Sequence, residues 1–131
     1  MKWVVIVVRT LVGALFVFAG GAYFFMPEMK PTGEVPKAVL AFADAFHPTH
    51  WMTVVKVVEL VGGLLLLTGR LAPLGITLLT PVAVNIALFE VLLARDPGPG
   101  VVTTLALGFL IWAYWPYFAP VFTTSARVRG A

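Results

Sequence analysis

The sequence predicts an all-α, polytopic membrane protein: a bundle of four transmembrane helices with a short amphipathic helix in its first outer loop. Composition is the first reason, because 60% of the 131 residues are hydrophobic and only 11% are charged. That leaves too little polar sequence to cover a water-soluble domain of this length. The second reason is that four apolar segments approach the roughly 20 residues that a helix needs to cross a bilayer. Backbone groups in hydrocarbon must pair internally, so each crossing is expected to be helical.

The four predicted spans form one membrane domain that covers residues 1–131, and they lie at about residues 3–26, 51–69, 71–94 and 101–122. The first follows Lys2 and is longer than the apolar region of a secretory signal, which has about 7–15 residues. We therefore interpret it as a retained span. Arg70 and Pro73 predict a tight hairpin between the second and third spans, and the polar sequence RDPGPG predicts the next turn.

The connection between the first two spans is long, and its middle part, residues 34–46, has a helical pattern. Its apolar residues Val35, Val39, Phe42 and Phe46 recur at helix-like intervals. This spacing predicts a short amphipathic helix that lies on the membrane surface or caps the bundle.

Basic residues predict the orientation. With four spans, both termini and the second connection share one side, which carries Lys2, Arg70, Arg127 and Arg129. The opposite side carries Lys30, Lys37 and Arg95. Because cytoplasmic segments are enriched in Lys and Arg, both termini are predicted to be cytoplasmic.

Five polar side chains within the predicted spans are the candidate intramembrane network: Arg9, Lys56, Glu59, Asn85 and Glu90. A charge inside a span costs about 2.5–3.5 kcal/mol on insertion scales, so such residues usually face the bundle interior and pair. Their depths predict that Lys56 lies level with Glu90 and that Arg9 reaches towards Glu59, while Lys56 and Glu59 also share one helix face. Two interpretations stay open: an ion-pair network that fixes helix register, or a site for a proton, a quinone or a small solute.

Small residues accompany these charges on the same helix faces. Gly13 and Gly20 lie on the face of the first span that carries Arg9, and Gly62 and Gly63 lie on the charged face of the second. In lipid, small residues let helices approach closely. These four glycines are the predicted helix-packing positions.

Several kinds of chemistry have no support in the sequence. The chain has no cysteine, which excludes iron–sulfur clusters, disulfides and Cys-based metal sites. His47 and His50, with Asp44 three residues earlier, make a weak metal-binding pattern. Pro48 is expected to end the helix between the histidines, so we interpret them as surface residues. No run of basic residues indicates a nucleic-acid partner.

Three segments resemble patterns of the DoxX family of integral membrane proteins: residues 9–16 (RTLVGALF), 58–73 (VELVGGLLLLTGRLAP) and 80–90 (TPVAVNIALFE). The resemblance covers nearly the whole chain. It implies a four-helix protein of the bacterial plasma membrane with both termini inside. Family relatives are associated with a terminal quinol oxidase or belong to a thiosulfate:quinone oxidoreductase. Arg9 and Glu59 match polar positions that recur in the family, whereas Glu90 stands where many relatives carry His.

Three functions remain open at this stage. The first is an accessory or structural subunit of a membrane complex, respiratory or redox in kind, which contacts other subunits or further copies of itself within the lipid bilayer. The second is a quinone-linked oxidoreductase component in which Arg9, Lys56 and Glu59 line the site. The third is a small-solute or proton transporter, which ranks last because the sequence shows no clear internal repeat.

Overall fold

A computed structural model of the chain describes residues 1–26, 34–46 and 48–130. Within these ranges the protein consists of helices and turns, without strands. The α-helices are α1 (Lys2–Phe25), α2 (Lys37–Phe46), α3 (Trp51–Thr68), α4 (Ala72–Leu88), α5 (Pro99–Ala113) and α6 (Trp115–Phe118). A π-helical segment, Phe89–Ala94, continues α4, and a 3-10 turn, Ala119–Phe122, follows α6.

In the part of the chain that the structure describes, three helices are long and apolar enough to cross a membrane: α1, α3, and α4 together with its π-helical segment. Their bounds lie close to the first three predicted spans. Large apolar side chains point outward along them, and Phe18 of α1 and Val54 of α3 are 65% and 66% exposed. Water would disfavour such faces, whereas lipid accepts them. The protein is thus all-helical in its described part and has the character of a multi-pass membrane protein.

The fourth predicted span, residues 101–122, is not one straight helix. α5 ends at Ala113, and the segment that follows it is bent by 86°. Pro116 explains the bend, because proline has no N–H to donate to the carbonyl of Trp112 and therefore cannot continue α5. The 15 residues of α5 rise only about 22 Å, less than the roughly 30 Å of a bilayer core. A fourth crossing therefore requires the bent pair to act as one span.

The four longer helices pack side by side in the order α1, α3, α4, α5, and α5 also contacts α1. α1 and α3 approach closely, because a Cβ added to Gly13 would lie 2.8 Å from the carbonyl oxygen of Gly63. Gly62 faces α4, because a Cβ there would lie 2.6 Å from Leu79 Cγ. Gly20 faces α3, because a Cβ added there would lie 2.8 Å from Leu60 Cγ. All four predicted packing glycines thus lie at helix–helix contacts.

The two ends of the bundle differ. We call one the basic end: it holds the start of α1, the turn between α3 and α4 and the last turn of α5. The other, the α2 end, holds the start of α3, the π-helical segment and α2, whose Phe42 ring lies 4.9 Å from that of Phe89. Fully buried Leu66, Ile76 and Leu107 belong to the core, which extends to the basic end because Leu66 and Ile76 flank the α3–α4 turn.

Candidate functional site

A cavity of about 460 Å³ lies between α2, α3 and the second half of α4; we call it the α2 cavity. Its volume falls in the range of about 300–1,000 Å³ that is typical of small-molecule sites. Most of its wall is apolar and comes from Val39, Phe42, Ala43, Phe46, Trp51, Met52, Val55, Val82, Ile86 and Phe89. The cavity is thus suited to a largely apolar molecule.

Contacts between tilted aromatic rings hold α2 over this cavity. The ring of Phe42 lies 4.4 Å from Phe46 and 4.9 Å from Phe89, and Phe46 lies 5.4 Å from Trp51. These separations are in the range of favourable aromatic pairs. The apolar face of α2, with Val39, Phe42 and Phe46, therefore caps the bundle as one of the two predicted arrangements requires.

An ion pair lies in the wall of the α2 cavity. Lys56 Nζ is 3.0 Å from Glu59 Oε2 and 3.3 Å from Oε1, and both residues contribute to the lining. Glu59 is only 1% exposed, so its carboxylate depends on this partner for stability. An ammonium group has three N–H donors, and the two carboxylate contacts use at most two of them. Within the described residues, at least one donor of Lys56 is therefore left to serve a bound molecule.

Asn85 of α4 adds a third polar group to the lining. Its side chain is exposed, and among the described residues it makes no hydrogen bond. Its amide group is therefore free to donate a hydrogen bond to a molecule in the cavity or to accept one from it.

The expected pairing of Lys56 with Glu90 is wrong. The Glu90 carboxylate accepts hydrogen bonds from the backbone N–H groups of Gly98, Gly100 and Val101, at 2.9, 2.8 and 3.3 Å. Neighbouring residues of a helix point in clearly different directions around its axis, and this holds for the π-helical segment that contains Phe89 and Glu90. Phe89 faces the α2 cavity, and so Glu90 turns towards α5 instead.

Glu90 caps the N-terminus of α5 from the neighbouring helix. The N-cap residue Gly98 has no side chain to serve its own helix, and Pro99 has no N–H. Glu90 satisfies the remaining amides and places a negative charge at the positive end of the helix dipole. The sequence signal for this role was the Gly-Pro-Gly start of α5, which lacks the usual capping side chain.

The prediction that the Arg9 side chain reaches towards Glu59 is also wrong. Arg9 Nη1 donates a hydrogen bond to Tyr114 Oη at 3.2 Å. The guanidinium packs on Gly69 at the end of α3, where an added Cβ would lie 2.8–2.9 Å from its atoms. Gly69 lies ten residues beyond Glu59, or about 15 Å along α3. The Arg9 guanidinium, which contacts Gly69, is therefore too far from Glu59 to form an ion pair with it.

The weak metal pattern gains no support. Asp44 and His50 are exposed, and His47 lies outside the described residues. Within the described ranges, no group of three or more His, Cys, Asp or Glu residues is arranged to hold a metal ion.

The structure therefore brings Lys56, Glu59 and Asn85 to one cavity and leaves Arg9 and Glu90 outside it. Sequence reasoning missed the aromatic wall formed by Trp51 and Phe89, which neither hydropathy nor motif spacing marks as a site. No family model matches the chain, and no curated protein or solved structure matches it.

Proposed function

We propose that the protein is a DoxX-like integral membrane protein that binds a small, mostly apolar molecule with a carbonyl or hydroxyl group, of the quinone class, in the α2 cavity. One observation carries the proposal: the Lys56–Glu59 pair and Asn85 border an otherwise apolar cavity of about 460 Å³. An ion pair that served helix register alone would have no need of such a space beside it, because protein interiors pack closely.

The chemistry of a quinone fits this lining. Its flat ring suits the aromatic walls, and its carbonyl oxygens accept hydrogen bonds from the free ammonium N–H of Lys56 and the amide N–H of Asn85. In the quinol form, a ring hydroxyl donates to Glu59. The apolar tail of a membrane quinone would leave between the helices towards lipid.

Tryptophan fluorescence tests the proposal directly. The chain has four Trp residues, and only Trp51 lines the α2 cavity. In detergent-solubilised protein with Trp3, Trp112 and Trp115 changed to Phe, we expect decylubiquinone to quench Trp51 fluorescence saturably. Because Ala43 lines the cavity, Ala43→Phe should abolish this saturable quenching. Ala41→Phe, on the exposed face of α2, should leave it intact.

The dependence of quenching on decylubiquinone concentration separates binding from collision. Linear quenching without saturation, equal in the Ala43→Phe and Ala41→Phe proteins, would indicate collision in the micelle and not binding. Lys56→Met should weaken the saturable component without removing the cavity.

A second candidate function, an accessory subunit of a membrane redox complex, is favoured by the outer face of α5. Gly108 lies there between the exposed residues Leu105 and Trp112, and a Cβ added to it would meet no atom within 4 Å. A small residue on a lipid-facing surface lets another helix approach. This face would contact a further subunit or a second copy of the chain.

Native electrophoresis of gently solubilised membranes tests this second candidate. Gly108→Leu should shift the protein to a smaller assembly, whereas Ala14→Leu, on the exposed face of α1, should not. Equal migration of both variants and the unaltered protein would exclude α5 as the contact.

We propose a location in the bacterial plasma membrane, with four crossings and both termini cytoplasmic. The predicted inner side has four basic residues against three on the other side, which supports the orientation. α5 and its bent continuation would form the fourth crossing, with α6 lying at the inner interface.

A further inference from the structure

A second cavity, of about 510 Å³, opens at the basic end between the start of α1 and the end of α5. We call it the Arg9 cavity, and its lining includes Lys2, Val5, Arg9, Trp112 and Tyr114. It lies at the opposite end of the bundle from the α2 cavity, and the two share no lining residue. A molecule could therefore bind in the Arg9 cavity independently of one in the α2 cavity.

The charge at this end is of one sign. Every charged residue that the structure describes there is basic: Lys2, Arg9 and Arg70, with Arg127 and Arg129 in the tail that follows. None of the described acidic residues pairs with Arg9: Glu59 pairs with Lys56, Glu90 caps α5, and Asp44 lies on α2. Among the described residues Arg9 therefore has no carboxylate partner, although a cation inside a span normally has a counter-ion.

The guanidinium of Arg9 is held in place, but not all of its N–H donors have a hydrogen-bond acceptor in the described structure. Its Nη1 bonds to the Tyr114 hydroxyl, its flat group rests on Gly69, and its Nε is buried without a hydrogen-bond partner in the described structure. Contacts to both α3 and α5 keep the side chain turned into the bundle, so it does not simply extend into the aqueous phase. A bound anion would supply both the missing acceptor and the missing counter-charge.

The depth of the site indicates the source of that anion. Arg9 lies seven residues beyond Lys2, about 10 Å along α1 from the helix start. Trp112 and Tyr114 share its level, and these residue types prefer the headgroup region of a bilayer. Basic pockets between membrane helices at this depth suit the phosphate of a lipid headgroup.

We infer that the Arg9 cavity binds the phosphate of an anionic phospholipid. Arg9 donates to the phosphate oxygens, and Tyr114, whose oxygen accepts from Arg9, donates its hydroxyl hydrogen to the same group. Lys2 adds positive charge at the mouth, and the acyl chains lie along the apolar side chains of α1 and α5. This inference does not depend on quinone binding in the α2 cavity.

Thermal unfolding in detergent micelles tests it with three added probes: phosphatidylglycerol, phosphatidylcholine and inorganic phosphate. We expect phosphatidylglycerol alone to raise the Tm in a saturable way, because a ligand of the folded state stabilises it. An equal effect of phosphatidylcholine would overturn the inference. An equal effect of inorganic phosphate would also overturn it, since the site would then bind free phosphate and not a lipid.

Variants locate the effect. Tyr114→Phe removes one hydroxyl and keeps the ring, and it should weaken phosphatidylglycerol binding several-fold. Arg9→Gln should weaken it about tenfold or more, since hydrogen bonds to charged groups are among the stronger ones. Arg70→Gln is the matched control, because Arg70 is at the same end but outside the cavity. Equal losses in Arg70→Gln and Tyr114→Phe would show a diffuse charge effect and overturn the assignment.

Discussion

Gly13 and Gly63 face each other across the α1–α3 contact so closely that a Cβ on either would lie within 3.0 Å of the other's carbonyl oxygen. The opposing atoms are backbone atoms and cannot rotate away. Gly13→Ala therefore forces the two helices apart and should lower the free energy of unfolding by about 1–3 kcal/mol, the usual range for overpacking. Unfolding in mixed micelles, followed by circular dichroism, measures the change.

Gly21 supplies the control for this prediction. It lies on the same helix, but an added Cβ would meet no atom within 4 Å. Gly21→Ala should leave the protein as stable or slightly more stable, because alanine favours helix more than glycine does. Equal destabilisation by both substitutions would mean that α1 and α3 do not touch at Gly13.

Glu90 should contribute to stability through its three backbone hydrogen bonds to the start of α5. Glu90→Ala leaves the amides of Gly98 and Gly100 without their acceptor, whereas Val101 still donates to the Gly98 carbonyl, and it should destabilise the bundle by about 1–3 kcal/mol. Hydrogen exchange at the amide of Gly100 should accelerate in parallel, since the Glu90 carboxylate is its acceptor in the described structure. Asp96→Asn, in the same turn but exposed, is the control and should change neither quantity.

Hydropathy predicted α1, α3 and α4 well because the need for an apolar run of membrane length is a one-dimensional property of the sequence. The spacing of Val39, Phe42 and Phe46 predicted α2 in the same way. The bend before Trp115 was missed because the apolar run continues through Pro116, and hydropathy does not register the lost N–H. Pro116 by itself predicts a break in the helix, but the long apolar run around it favoured one continuous span.

The pairings of the intramembrane charges failed for a different reason. Depth along a helix follows from residue number, but a contact also requires the right direction around the helix axis. Lys56 and Glu59 are on one helix, so their separation is fixed by helix geometry and the pair was foreseeable. The partners of Glu90 and Arg9 depend on how the helices are rotated about their axes, and the depth of a residue along its helix does not reveal that rotation.

Topology offers a test of the bent segment. The chain has no cysteine, so single substitutions can be labelled without removing native thiols. If α5 and its continuation cross the membrane, Ser125→Cys in the tail should react with an impermeant maleimide only from the cytoplasmic side. Asp44→Cys on α2 should react only from the opposite side. Labelling of both positions from the same side would mean three crossings and would reject the proposed orientation of the tail.

The Lys56–Glu59 pair separates a structural role from a binding role. Glu59→Gln leaves the ammonium group of Lys56 without its counter-ion, and Lys56→Met leaves a buried carboxylate, so each should cost about 3–5 kcal/mol of stability. The double variant Lys56→Met with Glu59→Leu removes both charges and should recover most of that loss, because a buried ion pair repays little more than its desolvation. If the pair serves the ligand, this recovered protein should still show weakened binding of decylubiquinone in the saturable quenching of Trp51. Quenching at the unaltered affinity in the double variant would show instead that the pair only fixes the packing of α3.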